Sequence, residues 1–152
     1  MPVRVEIQLR GKAVEGLRRV AREWPEAQRK VVTYMAAVVE DEAKLNLRGK
    51  VLHRREGRLA TSVHTVVRGS AAEVGTNVIY GPVHEFGRVI QPPYTRGEGP
   101  MRFMVGGKWV TTHRVEIPER PWLRPAISDN TDKLGDAAGK ALDEFVRARG
   151  AI

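Results

Sequence analysis

Hydrophobic and polar residues alternate at the start of the chain and then recur at helical spacing. Every second residue from 3 to 9 is apolar, a pattern typical of a strand with one solvated face. From 12 to 24 the apolar positions lie three or four residues apart, which predicts a short helix. Pro25 favours the start of a second helix, because proline fits the first helical turn. This longer helix is expected to end near Leu47.

The middle of the chain consists of β-rich runs separated by glycine turns. These runs predict one hairpin over 63–78 and a second over 101–117, the latter turning at the Gly-Gly pair 106–107. Between the hairpins, 79–86 predicts one or two helical turns. The proline-rich stretch 88–100 predicts an irregular loop.

An apolar face from Trp122 to Phe145 predicts a closing helix, interrupted near 129–131. Gly135 and Gly139 lie within it and predict either close packing or fraying, because glycine is a poor helix former. Helices at both ends with hairpins between them predict an α+β fold. In that fold, antiparallel strands pack against the long helix and the C-terminal helix.

The composition narrows the classes of function. A chain of 152 residues is long enough for one domain with a real core, and we expect a single domain over 1–152. The absence of cysteine excludes disulfides, thiolate nucleophiles and Cys-ligated metal centres. The sequence contains no apolar run long enough to span a membrane and no signal-peptide pattern, so we expect a soluble protein made in the cytoplasm.

The chain is strongly basic, with 26 Lys and Arg against 18 Asp and Glu. The most basic stretch holds six cations and one acid, Glu56. Its cations are Lys44, Arg48, Lys50, Arg54, Arg55 and Arg58. Three interpretations stay open for this basic cluster: sequence-independent contact with phosphate, a solvated loop, or contact with an acidic partner. We expect mobile loops near 48–58 and 88–100.

The sequence offers no convincing catalytic site. His84 and Glu85 lack the second histidine that a zinc-peptidase helix needs, so no metal is expected there. Ser62 and His64 lack a carboxylate to orient the histidine, so they do not make a triad. We predict a protein that is not an enzyme and takes no cofactor. The pair His84-Glu85 is better interpreted as part of the core or of a subunit contact.

Three patches, over 57–63, 74–87 and 117–126, carry a family resemblance. Their distinctive residues are Gly57, Leu59, Ser62, Gly75, Tyr80, His84, Glu85, Phe86, Gly87, Arg120, Pro121, Trp122 and Leu123. In this order, after a long helix, they resemble the tail-completion, or head–tail joining, family of long-tailed bacteriophages, which includes phage virion morphogenesis proteins. The resemblance covers about 26–148.

This resemblance implies a structural protein of the virion neck, assembled in the bacterial cytoplasm. Such proteins form rings, thought to be hexameric, between the adaptor or stopper and the tail tube. A homo-oligomeric ring, with sequence-independent contact between the basic cluster and DNA in its lumen, is therefore expected, and no membrane contact. A tail terminator and a free sequence-independent DNA-binding protein are the alternatives.

The patch residues also predict local structure. Gly75 and Gly87 are expected to allow positive φ or tight turns. Tyr80 and Phe86 are expected to anchor the short helix in the core, and Pro121 to set the first turn of the last helix.

Overall fold

The computed structural model describes residues 11–50, 57–91 and 99–150. The helices are α1 (Lys12–Arg22), α2 (Trp24–Leu45), α3 (Arg58–Ser62), α4 (Gly81–Phe86), α5 (Arg124–Ser128) and α6 (Thr131–Arg147). The strands are β1 (His64–Arg68), β2 (Ala71–Gly75), β3 (Arg88–Ile90), β4 (Met101–Val105), β5 (Lys108–Thr112) and β6 (Val115–Ile117). The fold class is α+β, as predicted. The strand expected over 3–9 lies outside the described residues.

The long helix α2 organises the core. It carries Pro25 in its first turn and runs into a π-helical turn, Asn46–Lys50, that leaves helical geometry at Gly49. One side of α2 packs along α6 and another against the hairpin of β1 and β2. The core residues come from α2 and the π-helical turn, from α3 and the residue after it, and from the stretch between Trp122 and the first turn of α6. They are Val39, Ala43, Leu47, Leu59, Ala60, Val63, Trp122, Ala126 and Leu134.

Polar contacts tie α6 to α2 at several levels. Tyr34 donates a 2.7 Å hydrogen bond to Glu144, and Lys133 pairs with the buried Glu42. Beyond the end of α6, Arg149 bonds Glu23, which stands between α1 and α2. These contacts fix α6 along the length of α2.

The strands of the described residues form three separate antiparallel pairs. β1 pairs with β2, with His64 opposite Gly75. β3 pairs with β6, with Arg88 opposite Ile117. β4 pairs with β5 about the predicted Gly-Gly turn, with Met101 opposite Thr112. Neither β4 nor β5 packs extensively on any other described element.

Two sequence predictions about the strands are wrong. Arg88–Ile90 is a strand and not loop, and the single strand expected over 108–117 is broken at His113 and Arg114. Both errors have one cause: β3 and β6 are distant in sequence and stabilise each other by backbone hydrogen bonds, which side-chain periodicity does not reveal.

The mobile loop expected near 48–58 lies partly outside the described residues. Arg48 lies in the π-helical turn and Arg58 begins α3, while 51–56 lie outside the described residues. The chain over 58–62 forms the helix α3. Its buried residues Leu59 and Ala60 join the core, which favours the helix through packing.

Candidate functional site

A buried carboxylate joins two of the three sequence patches. Glu85, in α4, is only 3% exposed. Its Oε2 accepts the backbone N–H groups of Trp122 at 2.7 Å and Leu123 at 2.8 Å, and its Oε1 accepts that of Arg124 at 2.9 Å. These donors stand at the start of α5, where N–H groups have no partner within the helix. Glu85 therefore caps α5 from another helix.

Arg124 completes this contact between α4 and α5, which we call the joint and which consists of Glu85, Trp122, Leu123 and Arg124. Its Nε donates to Glu85 Oε1 at 3.1 Å and its Nη2 to the Glu85 backbone carbonyl at 2.8 Å. The guanidinium also pairs with Glu119 and lies 5.2 Å from the ring centre of Phe86. The Glu85 charge is thus both hydrogen-bonded and neutralised, the condition for burying a carboxylate at low cost.

Trp122 anchors the joint in the core by burial and by two hydrogen bonds. Its indole is 2% exposed, and Nε1 donates to the Gly81 carbonyl at 3.2 Å. Its own carbonyl accepts a 3.0 Å hydrogen bond from Nδ2 of the buried Asn46, at the end of α2. One tryptophan therefore connects α2, α4 and the entry to α5.

Glycine is required at two positions where segments of the chain approach each other closely. A methyl group at Gly81 would lie 2.5 Å from Thr76 Cγ2 and 3.3 Å from Leu59 Cδ1. Gly87 has φ +67°, and a methyl group there would lie 3.0 Å from the backbone of Glu119. The positive φ predicted for Gly87 is present. Gly75 has no positive φ; it is paired in β2.

The first patch meets the second through hydroxyl groups. Ser62 Oγ lies 2.6 Å from Thr76 Oγ1 and donates to the Leu59 carbonyl at 2.8 Å. Thr76 Oγ1 also accepts the Val78 N–H at 3.1 Å. His64 Nδ1 lies 2.9 Å from the backbone carbonyl of Ser62, so its hydrogen bond goes to the main chain and not to the serine hydroxyl.

The environment shifts the pKa values of both members of the His84-Glu85 pair. Burial raises the pKa of Glu85, but the N–H groups of Leu123, Trp122 and Arg124 and the Arg124 side chain outweigh it, and the pKa is lower than usual. Burial, then the charge of Arg120, lowers the pKa of His84. Glu85 therefore stays ionised and His84 neutral near pH 7.

His84 is held by one backbone hydrogen bond and one ring contact. Its backbone carbonyl accepts the Arg120 N–H at 2.8 Å, and its ring packs edge-on against Tyr80 with centroids 6.0 Å apart. The buried Nδ1 has no hydrogen-bond partner among the described residues. In the ranges 11–50, 57–91 and 99–150, no group of three acidic or histidine side chains is placed to hold a metal ion.

Two predictions about the patch residues are wrong. Tyr80 packs against the core, but Phe86 is 66% exposed. It follows Glu85 by one position, so the turn of α4 that buries the carboxylate directs Phe86 outward. Pro121 precedes α5 and does not lie in a helix; Pro125 occupies the first turn instead.

The described part of the basic cluster forms no joint site. Lys44 pairs with Glu40 on α2, whereas Arg48 and Arg58 are exposed. Arg54 and Arg55 lie outside the described residues, and of Lys50 only the backbone is described.

Sequence reasoning missed the exposed apolar surface. Ile79 is 89% exposed, Phe86 66% and Trp109 59%. The strand pattern of 101–112 was visible, but only the fold places that hairpin away from the core. None of the helices described spans enough apolar residues to cross a membrane.

Comparison with known proteins gives one match. The model of the phage virion morphogenesis family matches residues 33–143, which include the whole joint. No match was found among curated proteins or among solved structures.

Proposed function

Because this chain belongs to the phage virion morphogenesis family, we propose that it is a structural protein of the virion neck. There it completes the tail and joins it to the head as a ring of identical subunits around the DNA path. Membership of the family supports a role in building the virion. The ring and its location in the neck are what we propose in addition.

The observation that carries the proposal is how the patch residues are used. Glu85, Trp122 and Gly81 connect helices inside the chain. Contacts with other proteins are therefore left to residues on the surface. That surface exposes Phe86 and Trp109, side chains that proteins usually bury unless a partner covers them. A protein that acts by fitting against others needs no bond-making chemistry, so we propose no enzymatic activity and no cofactor.

The proposed partners are copies of this chain, the adaptor or stopper on the head side, and the tail tube. A ring closes when each subunit uses one patch against a different patch on its neighbour. With a formal charge of +8, the subunits would also attract the DNA that passes through the ring, without reading its sequence.

The test is a phage that lacks this gene. Negative-stain images should then contain filled heads and separate tails of normal length, and the purified protein should restore joining when added to the lysate. Normal infectious particles from the deletion would overturn the proposal.

The two alternatives give different images and binding curves. A tail terminator predicts tails of abnormal length in the deletion strain. A free DNA-binding protein predicts normal particles together with salt-dependent binding of DNA by the isolated protein. We expect neither result.

The basic cluster has a narrower test. Reversing the charge of Arg54, Arg55 and Arg58 to Glu should slow DNA ejection or lower the yield of joined particles, if these residues face DNA or an acidic partner. Conservative changes to Lys are the control, since they keep the charge. Normal joining and ejection in the Glu variant would make the cluster a solvated surface only.

A further inference from the structure

The hairpin of β4 and β5 has an uncovered face. The register places Arg102 and Met104 on the same face as Trp109 and Thr111. All four are exposed; Met104 is 57% exposed and Trp109 59%. A two-stranded hairpin is at best marginally stable in water, and this one does not pack extensively on the rest of the described chain. Its face is therefore suited to a partner.

The charge of the hairpin indicates what kind of partner fits. From 99 to 114 the chain carries Arg102, Lys108 and Arg114 and no carboxylate. The Arg102 guanidinium lies 4.9 Å from the ring centre of Trp109, so cation and aromatic ring form one surface. An apolar or small-residue surface with acidic side chains beside it would match both properties.

The same chain presents such a surface on α6. The side of α6 turned away from the core carries Asp132, Asp136 and Asp143, spaced four and seven residues apart. Asp143 pairs with Arg147, whereas Asp132 and Asp136 have no ion-pair partner among the residues that the structure describes. Lys140 follows Asp136 by one turn, whereas Lys133 pairs with Glu42 and Arg147 with Asp143, so Asp132 and Asp136 are the two carboxylates of this row open to a cation from a second copy.

Small and apolar residues lie beside the acidic row. Gly135, Gly139 and Leu142 follow one another along the helix, and Leu142 is 36% exposed. A methyl group at either glycine would meet nothing within 4 Å. Packing inside the chain therefore does not account for these glycines, although glycine is unfavourable in a helix. They leave room for a tryptophan ring from outside.

We propose that the face of the β4–β5 hairpin in one subunit docks on the outer face of α6 in a second copy. Trp109 and Met104 cover the stripe of Gly135, Gly139 and Leu142, and Arg102, on the same face of the hairpin, approaches Asp132 and Asp136. The hairpin does not pack extensively on α6 within its own chain. The contact joins two different patches, so it repeats from copy to copy and can close a ring.

This inference deepens the proposed function, because it names the contact by which the ring forms. The test uses the absence of cysteine, since two introduced thiols are then the only ones present. The pair Met104→Cys with Leu142→Cys should give a ladder of covalent oligomers on mild oxidation, both in purified protein and in phage particles. Ser70→Cys with Leu142→Cys is the control, because Ser70 is exposed on the other hairpin; it should stay monomeric.

A second set of variants measures the strength of the contact. Trp109→Ala should weaken self-association about 30-fold or more, as expected for an anchor residue of an interface. Arg102→Glu should also abolish association, and adding Asp132→Lys and Asp136→Lys should restore it. The restored variant excludes misfolding as the cause of the loss.

The outcomes separate the inference from the proposed function. No ladder in purified protein or in particles, or an equal ladder from the control pair, overturns the docking contact; the neck role stands if the protein is still found in joined particles. A ladder in purified protein that is absent from virions supports the contact and contradicts the neck role. Failure of the charge exchange to restore association overturns the pairing with the aspartates.

Discussion

Glu85 joins α4 to the start of α5, 37 to 39 positions further along the chain. Three backbone N–H groups and one arginine satisfy its carboxylate in a place that water does not reach. Removing the side chain would leave the N–H groups of Trp122 and Leu123 without a partner. Buried donors without partners cost more than the net value of the bonds they lose.

The first prediction concerns this carboxylate. Glu85→Ala should lower the free energy of unfolding by about 3 kcal/mol or more, because it leaves several buried donors unpaired. Glu85→Gln keeps the shape but loses the charge and should cost about 1–2 kcal/mol. Urea unfolding at neutral pH measures both. Glu73→Gln, at an exposed acid, is the control and should stay within about 0.5 kcal/mol of the wild type.

If Glu85→Ala were as stable as the wild type, the carboxylate would not hold α4 and α5 together. The joint would then owe its stability to Trp122 alone.

The second prediction compares two glycines. Gly81→Ala should destabilise the protein by about 1–3 kcal/mol, because the new methyl group would lie 2.5 Å from Thr76 Cγ2. Gly139→Ala has free space around it and should stabilise the isolated subunit by about 1 kcal/mol. Thermal unfolding of dilute protein checks both signs. Equal effects at the two positions would contradict the packing described around Gly81.

At the scale of elements, the three strand pairs differ in what supports them. The hairpin of β1 and β2 packs on α2, and β3 and β6 lie beside the joint, where a methyl group at Gly87 would lie 3.0 Å from the backbone of Ile117 and Glu119. The pair of β4 and β5 lacks comparable support. We therefore expect the hairpin of β4 and β5 to contribute little to the stability of the core.

The third prediction is that the hairpin can be removed without unfolding the rest. Replacing 101–112 by a short Gly-Ser linker should change the free energy of unfolding by less than about 1 kcal/mol, because an isolated hairpin adds little stability. The truncated protein should no longer self-associate. Circular dichroism melting and light scattering measure the two properties. A collapse of stability on truncation would mean that the hairpin belongs to the core.

At the scale of the whole molecule, acid should loosen the fold in two steps. The pKa values of His84 and Glu85 are both lower than usual in the folded protein, so the unfolded chain binds these protons more readily. The contribution of His84 is complete above its ordinary pKa of 6.5 and is lost as the pH falls through its lowered pKa. That of Glu85 is complete above 4.5 and is lost at still lower pH.

The fourth prediction follows from these signs. The wild type should lose stability as the pH drops below about 6.5, and His84→Gln should lack that first loss, since glutamine does not titrate. Glu85→Gln should lose less stability than the wild type below about 4.5; Glu40 and Glu144, whose pKa values are also lowered by side-chain hydrogen bonds, account for the loss that remains. Urea unfolding across the acid range, with each variant compared with the wild type, isolates each contribution. Identical pH profiles for all three proteins would contradict the assignment.

Sequence by itself determined the features that depend on neighbours along the chain. The helical spacing of apolar residues and Pro25 predicted α2, and the Gly-Gly turn predicted the pairing of β4 with β5. The order of the three patches predicted the family, which the match over residues 33–143 confirms. Side-chain periodicity and turn chemistry are local, so a single chain displays them before it folds.

Only the tertiary structure decided how the patches are used. The sequence shows Glu85 beside His84 and Phe86, but not that its carboxylate reaches Trp122, 37 positions away. It shows a hydrophobic Phe86, but not that this ring faces outward. It does not show that β3 pairs with β6. Burial, capping between helices and strand pairing at a distance depend on which surfaces meet, and that is set by packing in three dimensions rather than by local preference.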